Sequence, residues 1–382
     1  MTNPFGIYVH IPFCLRRCSY CSFYSSTELN QNNFQVLTQS VIREAETAAT
    51  WLKPHGTQKV KSIYVGGGTP SLLPVEFLSQ ILKKLATEFM IDHTAEVTVE
   101  ANPETITHEW CKQLAANTNV NRLSLGVQSF QSRHLKTLER LSSPHNVLGA
   151  VELLHRYGFS NLNLDLIFGI PGQTLSEYLA DIDQAAKLQP THISTYMLTL
   201  KPSHPIYGGL PTDDELATFY EKGVQCLESH RYRQYEISNF SRDNQPSQHN
   251  WLYWDGGDFL GLGPSACSRF YWDRCFYHRS GVSNLDEYFL RTNFPEPGLQ
   301  KSTPQQSVLE AVFLELRKNV GIQTAQFEKR YGYDIRQSSR FAELVSEGFI
   351  ENERQTVRLS PTGRLLADSL AVELVDYECI KS

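Results

Sequence analysis

The chain has 382 residues, 41% of them apolar and 20% charged, which suits one large α/β domain with a smaller companion and excludes a disordered polymer. Lys and Arg number 35 against 41 Asp and Glu, a formal balance of −6, so no positive field exists to grip a phosphate backbone and nucleic acid is set aside as a partner. No apolar run reaches the length of a membrane span, and MTNPFGIYVH lacks the charged and apolar regions of a signal peptide, so a cytoplasmic protein is expected.

In chain order, strand-like segments fall at Gly6–Ile11, Lys61–Val65, Glu96–Glu100, Arg122–Gly126, Asn161–Ile167 and His192–Leu198. Helix-period stretches lie between them, among them Phe34–Leu52, Val75–Phe89 and Thr174–Leu188. Strands alternating with helices predict βαβ crossovers and a parallel sheet. Six units fall short of the eight that close a full barrel, so the expected fold is α/β, an open partial (β/α)6 barrel over residues 1–230.

The strands also carry a face. Val97 and Val99 alternate with Glu96, Thr98 and Glu100, Leu123, Leu125 and Val127 with Arg122, Ser124 and Gln128, and Leu162, Leu164 and Leu166 with Asn161, Asn163 and Asp165. A parallel strand covered on both sides reads as a continuous apolar run. Alternation instead predicts a polar lumen, with Glu100, Gln128 and Asp165 towards the strand ends where barrel enzymes hold their chemistry. Any one of them alone is more simply a solvated strand-end residue; three in register favour the lumen.

Beyond the sixth unit, residues 231–300 are rich in aromatics and glycine and include His249-Asn-Trp-Leu-Tyr-Trp254, followed by turns at Gly256-Gly257 and Gly261–Pro264 expected to fold this segment onto the barrel mouth. Phe294–Pro304 reads as a linker. Over residues 301–382, helices at Gln305–Lys318, Gln323–Tyr331 and Arg336–Glu347, a short β-wing through Ile350 and Val357–Leu359, and a closing helix from Thr362 outline a winged-helix-like module. Its 11 basic and 12 acidic residues do not support DNA reading.

Of eight cysteines, three crowd into Cys14-Leu-Arg-Arg-Cys18-Ser-Tyr-Cys21 directly after the first strand; the other five are scattered, as small core residues are. Three thiolates in one loop can hold three irons of a [4Fe–4S] cube and leave the fourth iron open to a ligand. Arg16 and Arg17 lie within the loop, where positive charge would favour thiolate. The competing reading is zinc with His10 as fourth ligand, although closed zinc sites usually draw on two separated ligand pairs. Gly66-Gly67-Gly68-Thr69-Pro70 ends the second strand; it matches neither a dinucleotide fingerprint nor a P-loop. Alone it is a tight turn, but beside an open cluster its glycines let an amino acid-like ligand approach the backbone.

Together Tyr8-Val-His-Ile-Pro-Phe-Cys14-x3-Cys18-x2-Cys21 and Gly66–Pro70 resemble the radical S-adenosylmethionine (SAM) superfamily, and within it the branch of oxygen-independent coproporphyrinogen III oxidase and its heme-chaperone relatives. The resemblance covers essentially the whole chain. It implies that Cys14, Cys18 and Cys21 bind a [4Fe–4S] cluster whose fourth iron is chelated by SAM. It implies further that Tyr8, Gly67 and Glu100 contact this SAM. Tyr20, Gly68, Thr69, Gln128, Arg140 and Asp165 match positions that line the oxidase lumen and hold a second SAM there.

Departures choose between the branches. The oxidase carries a fourth cysteine two residues after the third, where this chain has Phe23, and it has a long N-terminal extension, where here thirteen residues precede Cys14. The segment at 249–254 matches the HNxxYW signature of the heme-chaperone branch. The resemblance therefore implies a chaperone that carries heme to a hemoprotein or respiratory-chain acceptor, with decarboxylation of coproporphyrinogen III as the alternative. Under it His249 is the candidate heme ligand, an imidazole flanked by flat aromatic surface; without it, a capped loop histidine beside core tryptophans is the simpler account. Any membrane association should run through a protein partner, given the negative charge, and a homodimer is left open.

Overall fold

The computed structural model describes residues 5–56, 59–290, 293–295 and 298–380, apart from the Cys379 side chain. The first βα units are β1 (Phe5–Ile11), α1 (Gln31–Leu52), β2 (Val60–Gly67), α2 (Val75–Glu88), β3 (Ile91–Ala101), α3 (His108–Asn117), β4 (Arg122–Gln128), α4 (Ser132–Thr137), α5 (Pro144–Arg156), β5 (Leu162–Phe168), α6 (Leu175–Lys187), β6 (His192–Met197) and α7 (Asp213–Ser229). The six strands pair in parallel in sequence order, β1 to β6, and β1 does not close onto β6. Their outward apolar positions, such as Val99, Leu123, Leu125, Leu162 and Leu164, are fully buried against the helices. Leu37, Val41 and Ala45 of α1 and Leu78, Ile81 and Leu85 of α2, spaced three to four apart, supply the covering face. Thr174 opens α6 with a capping box to Glu177.

The sheet does not stop at six strands. β7 (Arg233–Glu236), β8 (Asn239–Ser241), α8 (Gln248–Trp254), β9 (Asp258–Leu262), β10 (Cys267–Trp272), β11 (Cys275–Ser280), α9 (Leu285–Leu290) and β12 (Gln300–Lys301) follow. They extend it to the order β12-β11-β10-β9-β1-β2-β3-β4-β5-β6-β8-β7. β9 lies parallel to β1, whereas β8 is antiparallel to β6. The extension is thus built into both edges of the open barrel, and Leu260, Leu262 and Phe270 share its core.

Two expectations need correcting here. Gly261 is a strand residue, not part of a turn: a Cβ there would lie 2.0 Å from the Cys267 carbonyl oxygen, so only glycine lets β9 and β10 approach so closely. The stretch expected to be a linker is anchored at both ends. Phe294 is buried against Trp51, ring centroids 5.2 Å apart, and Gln300–Lys301 pair with β11. Its positions 296 and 297 lie outside the described residues.

The C-terminal module comprises α10 (Pro304–Glu315), β13 (Ile322–Gln323), α11 (Thr324–Tyr331), α12 (Phe341–Ser346), β14 (Ile350–Glu353), β15 (Thr356–Leu359) and α13 (Ala367–Glu373). Three helices, a β-wing and a closing helix are present, with β13 completing a three-stranded sheet in the order β13-β15-β14; the third helix, expected from Arg336, begins only at Phe341, after a short 3-10 turn at Ile335–Gln337. Val308, Val312, Phe327, Leu344, Val357 and Leu370 form a second core, which also takes in Phe276 of β11. No described helix is long and apolar enough to cross a membrane.

Candidate cofactor site at the barrel mouth

Cys14, Cys18 and Cys21 are each half-buried in the loop that leaves the C-terminal end of β1. The loop is held by backbone bonds, Cys14 N–H to Ser26 O at 2.9 Å and Cys21 N–H to Cys18 O at 3.1 Å. Burial pushes the Cys14 and Cys21 thiols up. Of the loop arginines, Arg16 turns outward to Glu139 at 3.3 Å, while Arg17 opposes the shift at Cys21. A further cation beside the cysteines is Arg140, whose Nη1 lies 3.9 Å from Cys18 Sγ.

The glycine shelf fits a bulky group at these sulfurs. A Cβ on Gly68 would lie 2.9 Å from Cys14 Sγ and 2.7 Å from the Phe13 carbonyl oxygen, so the shelf is kept bare where the cradle opens. Gly67 has φ +116°, and a Cβ there would strike the His10 ring at 2.6 Å. A single zinc ion fits less well. A closed zinc site would need a fourth protein ligand beside the three thiolates. His10 is committed elsewhere, its Nε2 donating to Tyr24 O at 2.9 Å and its Nδ1 accepting from the Tyr8 hydroxyl at 3.0 Å. The residues present therefore fit an iron–sulfur cube better than zinc.

Next to the shelf, Glu100 accepts from Tyr64 Oη at 2.7 Å and from Gly67 N–H at 3.0 Å. Burial pushes its carboxyl up to about 7, with Asp165 adding, against the two hydrogen bonds and Arg122. A folded pKa above the unfolded one means that stability is fully present below about 4.5 and is lost as pH rises through about 7. Wild-type protein free of ligand should therefore lose Tm relative to Glu100→Gln between pH 5 and pH 8, by at most about 3 kcal/mol in stability. A Tm difference that stays flat with pH in differential scanning calorimetry would rule this out.

A cavity of about 440 Å³ opens from the shelf down the polar face of the sheet. Tyr20, Gly67, Gly68, Thr69, Glu100, Gln128, Arg140 and Asp165 line it, together with Cys21 and Phe23. Of the expected SAM-contacting residues, only Tyr8 stands back, behind Tyr64 and His10. Arg140 Nη2 donates to Asn102 Oδ1 at 2.6 Å and to the Gly126 carbonyl at 2.9 Å, while its buried Nε has no protein partner. A buried donor without a protein partner calls for a water, an ion or a polar ligand group. Asp165 accepts from Ser124 at 3.0 Å and Asn163 at 2.9 Å, and burial still raises its carboxyl pKa. Gln128 reaches the cavity from a left-handed backbone, φ 68°, at a register shift in β4.

Sequence reasoning missed Tyr64 and Asn102 as parts of this wall, whereas the alternation of β4 already puts Arg122 on the polar face. The period-two argument applied to β2 would have found Tyr64, which shares a face with Ser62 and Gly66. Asn102, one residue beyond β3, carries no comparable signal; Arg122 lies at the base of the wall, 3.8 Å from Glu96.

His249 is the expectation this geometry does not meet. It is 1% exposed, with Nδ1 2.8 Å from Ser62 Oγ and Nε2 2.8 Å from Tyr253 Oη, and it stacks on Tyr64 at 5.2 Å. Burial, with Arg122 adding, pushes its pKa down to about 3, so the ring is neutral with neither nitrogen free for iron. α8 closes the floor of the lumen, not its mouth, because Ser62, Glu96 and Arg122 are at the opposite strand ends from the cysteines. The other side of the same helix meets the C-terminal module: Trp251 lies 6.0 Å from Lys318 and Trp254 5.4 Å from Arg317. Lys318 also pairs with Asp255, directly after α8.

A three-cysteine loop after the first strand, a bare glycine shelf and a polar lumen in an open parallel barrel define a radical SAM protein. The sequence profile of that superfamily matches residues 8–185, and the profile of the HemN C-terminal domain matches residues 302–366. The solved coproporphyrinogen III oxidase (HemN) of Escherichia coli superposes with a TM-score of 0.82 over 98% of this chain and 91% of the enzyme, at 22% identity, which establishes a common fold. Curated relatives named heme chaperone HemW are more similar in sequence. That of Bacillus subtilis is 32% identical across 95% of this chain and 97% of the relative. The Lactococcus lactis relative is 30% identical, covering 97% of each chain, and the Escherichia coli relative 36%, covering 69% of each. The chain belongs to the HemW family.

Proposed function

We propose that this protein binds heme and delivers it to hemoproteins, on a scaffold that holds a [4Fe–4S] cluster at Cys14, Cys18 and Cys21 and SAM at the shelf and lumen. The observation that carries the reading is the near full-length match to curated heme chaperones, with the cysteine loop, the shelf and the lumen residues all in place. When bound, the cluster would supply an open iron for the amino and carboxylate groups of SAM. The chain's own residues shape the seat: Gly67 and Gly68 leave room, Glu100 presents a carboxylate, and Arg140 and Asp165 present a donor and an acceptor deeper in the lumen. Phe23, Tyr196 and Met197, each at least 40% exposed, rim the cavity with apolar surface suited to a flat hydrophobic ligand arriving from solvent. The acceptor is a hemoprotein or a respiratory-chain protein, and any contact with a membrane would run through it.

Decarboxylation of coproporphyrinogen III is the second reading, supported by the shared fold with the oxidase. Fold alone does not transfer chemistry, and Phe23 stands where the oxidase has a cysteine. Anaerobically prepared, cluster-loaded protein is expected to take up heme, followed by its Soret band, and to leave coproporphyrinogen III unchanged in the presence of SAM and reductant. Conversion to protoporphyrinogen would replace the chaperone reading with the enzymatic one. A His249→Ala arm should lower Tm, because two buried hydrogen bonds worth about 1 kcal/mol each are lost, yet retain heme uptake while folded. Lost heme uptake at unchanged Tm would restore His249 as a ligand.

A further inference from the structure

Away from the barrel mouth, Asp183, Cys226 and His230 bring one oxygen, one sulfur and one nitrogen within 4.8 Å of one another. Cys226 and His230 are four residues apart on α7, whose last turn continues through His230: its N–H bonds to Cys226 O at 3.2 Å. The two side chains therefore share a helix face. Asp183 faces them from α6, with Oδ1 2.7 Å from His230 Nε2 and 3.6 Å from Cys226 Sγ.

We propose that Asp183, Cys226 and His230 form a site for a divalent d-block cation, zinc by preference, that bridges α6 to the end of α7. A mixed thiolate, imidazole and carboxylate set suits zinc and excludes magnesium or calcium, which take oxygen ligands. The distances fit. With Zn–S of about 2.3 Å and Zn–N and Zn–O of about 2.0 Å, tetrahedral geometry separates S from O by roughly 3.5 Å and N from O by roughly 3.3 Å. The first separation is already present at 3.6 Å, and the second requires the His230–Asp183 pair to open from 2.7 Å by a rotation of two partly exposed side chains. The fourth position would be water. On binding, the Cys226 thiol proton is released to solvent and the imidazole proton moves from Nε2 to Nδ1 of His230, so that Nε2, the thiolate and the carboxylate each exchange their hydrogen bond for a metal–ligand bond. The site is remote from the cysteine loop and does not depend on the heme reading.

Cobalt(II) is the probe. Added anaerobically to cluster-loaded protein, one equivalent should give a thiolate-to-cobalt band in the near ultraviolet and the visible bands of tetrahedral cobalt, displaced by zinc. Cys226→Ser and His230→Ala should each weaken binding by more than the 10–100-fold, roughly, that loss of an outer partner costs. The same bands should persist when Cys14, Cys18 and Cys21 are all replaced by alanine, which assigns the sulfur to Cys226. Cobalt bands that survive Cys226→Ser, or no bands in protein whose circular dichroism shows it folded, would overturn the proposal.

Discussion

Replacing any one of Cys14, Cys18 or Cys21 by alanine is expected to abolish cluster assembly, leaving iron and acid-labile sulfide near background after anaerobic reconstitution. Each thiolate holds one iron of the cube, and no described side chain stands ready to substitute. His10 is engaged by Tyr8 and Tyr24, and the other free cysteines of known exposure lie on other elements. The variants should keep their fold. The three side chains are only half-buried, and the loop is held by backbone bonds to Ser26 that alanine preserves. Circular dichroism should therefore match wild type, with stability changed by about 1 kcal/mol or less. Cys111→Ala is the control: that thiol is fully buried on α3 and its loss should leave cluster content intact. A reconstituted cluster in any of the three loop variants would end the assignment.

The largest loss of stability is expected at Glu44. This carboxylate on α1 is fully buried and gathers the extension onto the barrel. Oε1 accepts from Arg279 of β11 at 2.5 Å, and Oε2 accepts from Gly263 N–H and from the Tyr288 hydroxyl of α9, both at 2.8 Å. Arg279 is 2% exposed, so Glu44→Ala would leave its guanidinium in the core without that countercharge. Breaking one side of a buried pair costs about 3–5 kcal/mol, whereas replacing both partners by apolar groups of similar size can be close to neutral. Glu44→Ala should accordingly lower the first thermal transition sharply, and the double variant Glu44→Leu, Arg279→Leu should recover much of the loss. Equal destabilisation by the single and double variants would mean that the hydrogen bonds to Gly263 and Tyr288, not the charge pair, dominate.

Much of the barrel is legible in the amino-acid sequence. A parallel strand is a local object whose outward face must be apolar, so Leu123, Leu125 and Leu162, Leu164 announce both the strand and the side on which the helices pack. The same alternation placed Glu100, Gln128 and Asp165 in the lumen. The cysteine spacing and the glycine run are equally local, since a cluster loop and a bare shelf each need particular residues at fixed separations.

What escaped was set by pairings between distant segments. β9 completes the sheet beside β1 across some 250 residues, and short strands of that kind have no periodicity long enough to read. His249 shows the limit most clearly. A histidine among aromatics is written identically whether it faces a ligand or a buried hydroxyl pair, and only the docking of α8 under the barrel decides for Ser62 and Tyr253. The amino-acid sequence by itself determined the class of cofactor chemistry, because that depends on which atoms sit at short, fixed spacing along one loop. Tertiary structure alone decided which polar residues are spent on holding the fold and which remain open to a ligand, because burial and hydrogen-bond partners are properties of neighbours brought together from far along the chain.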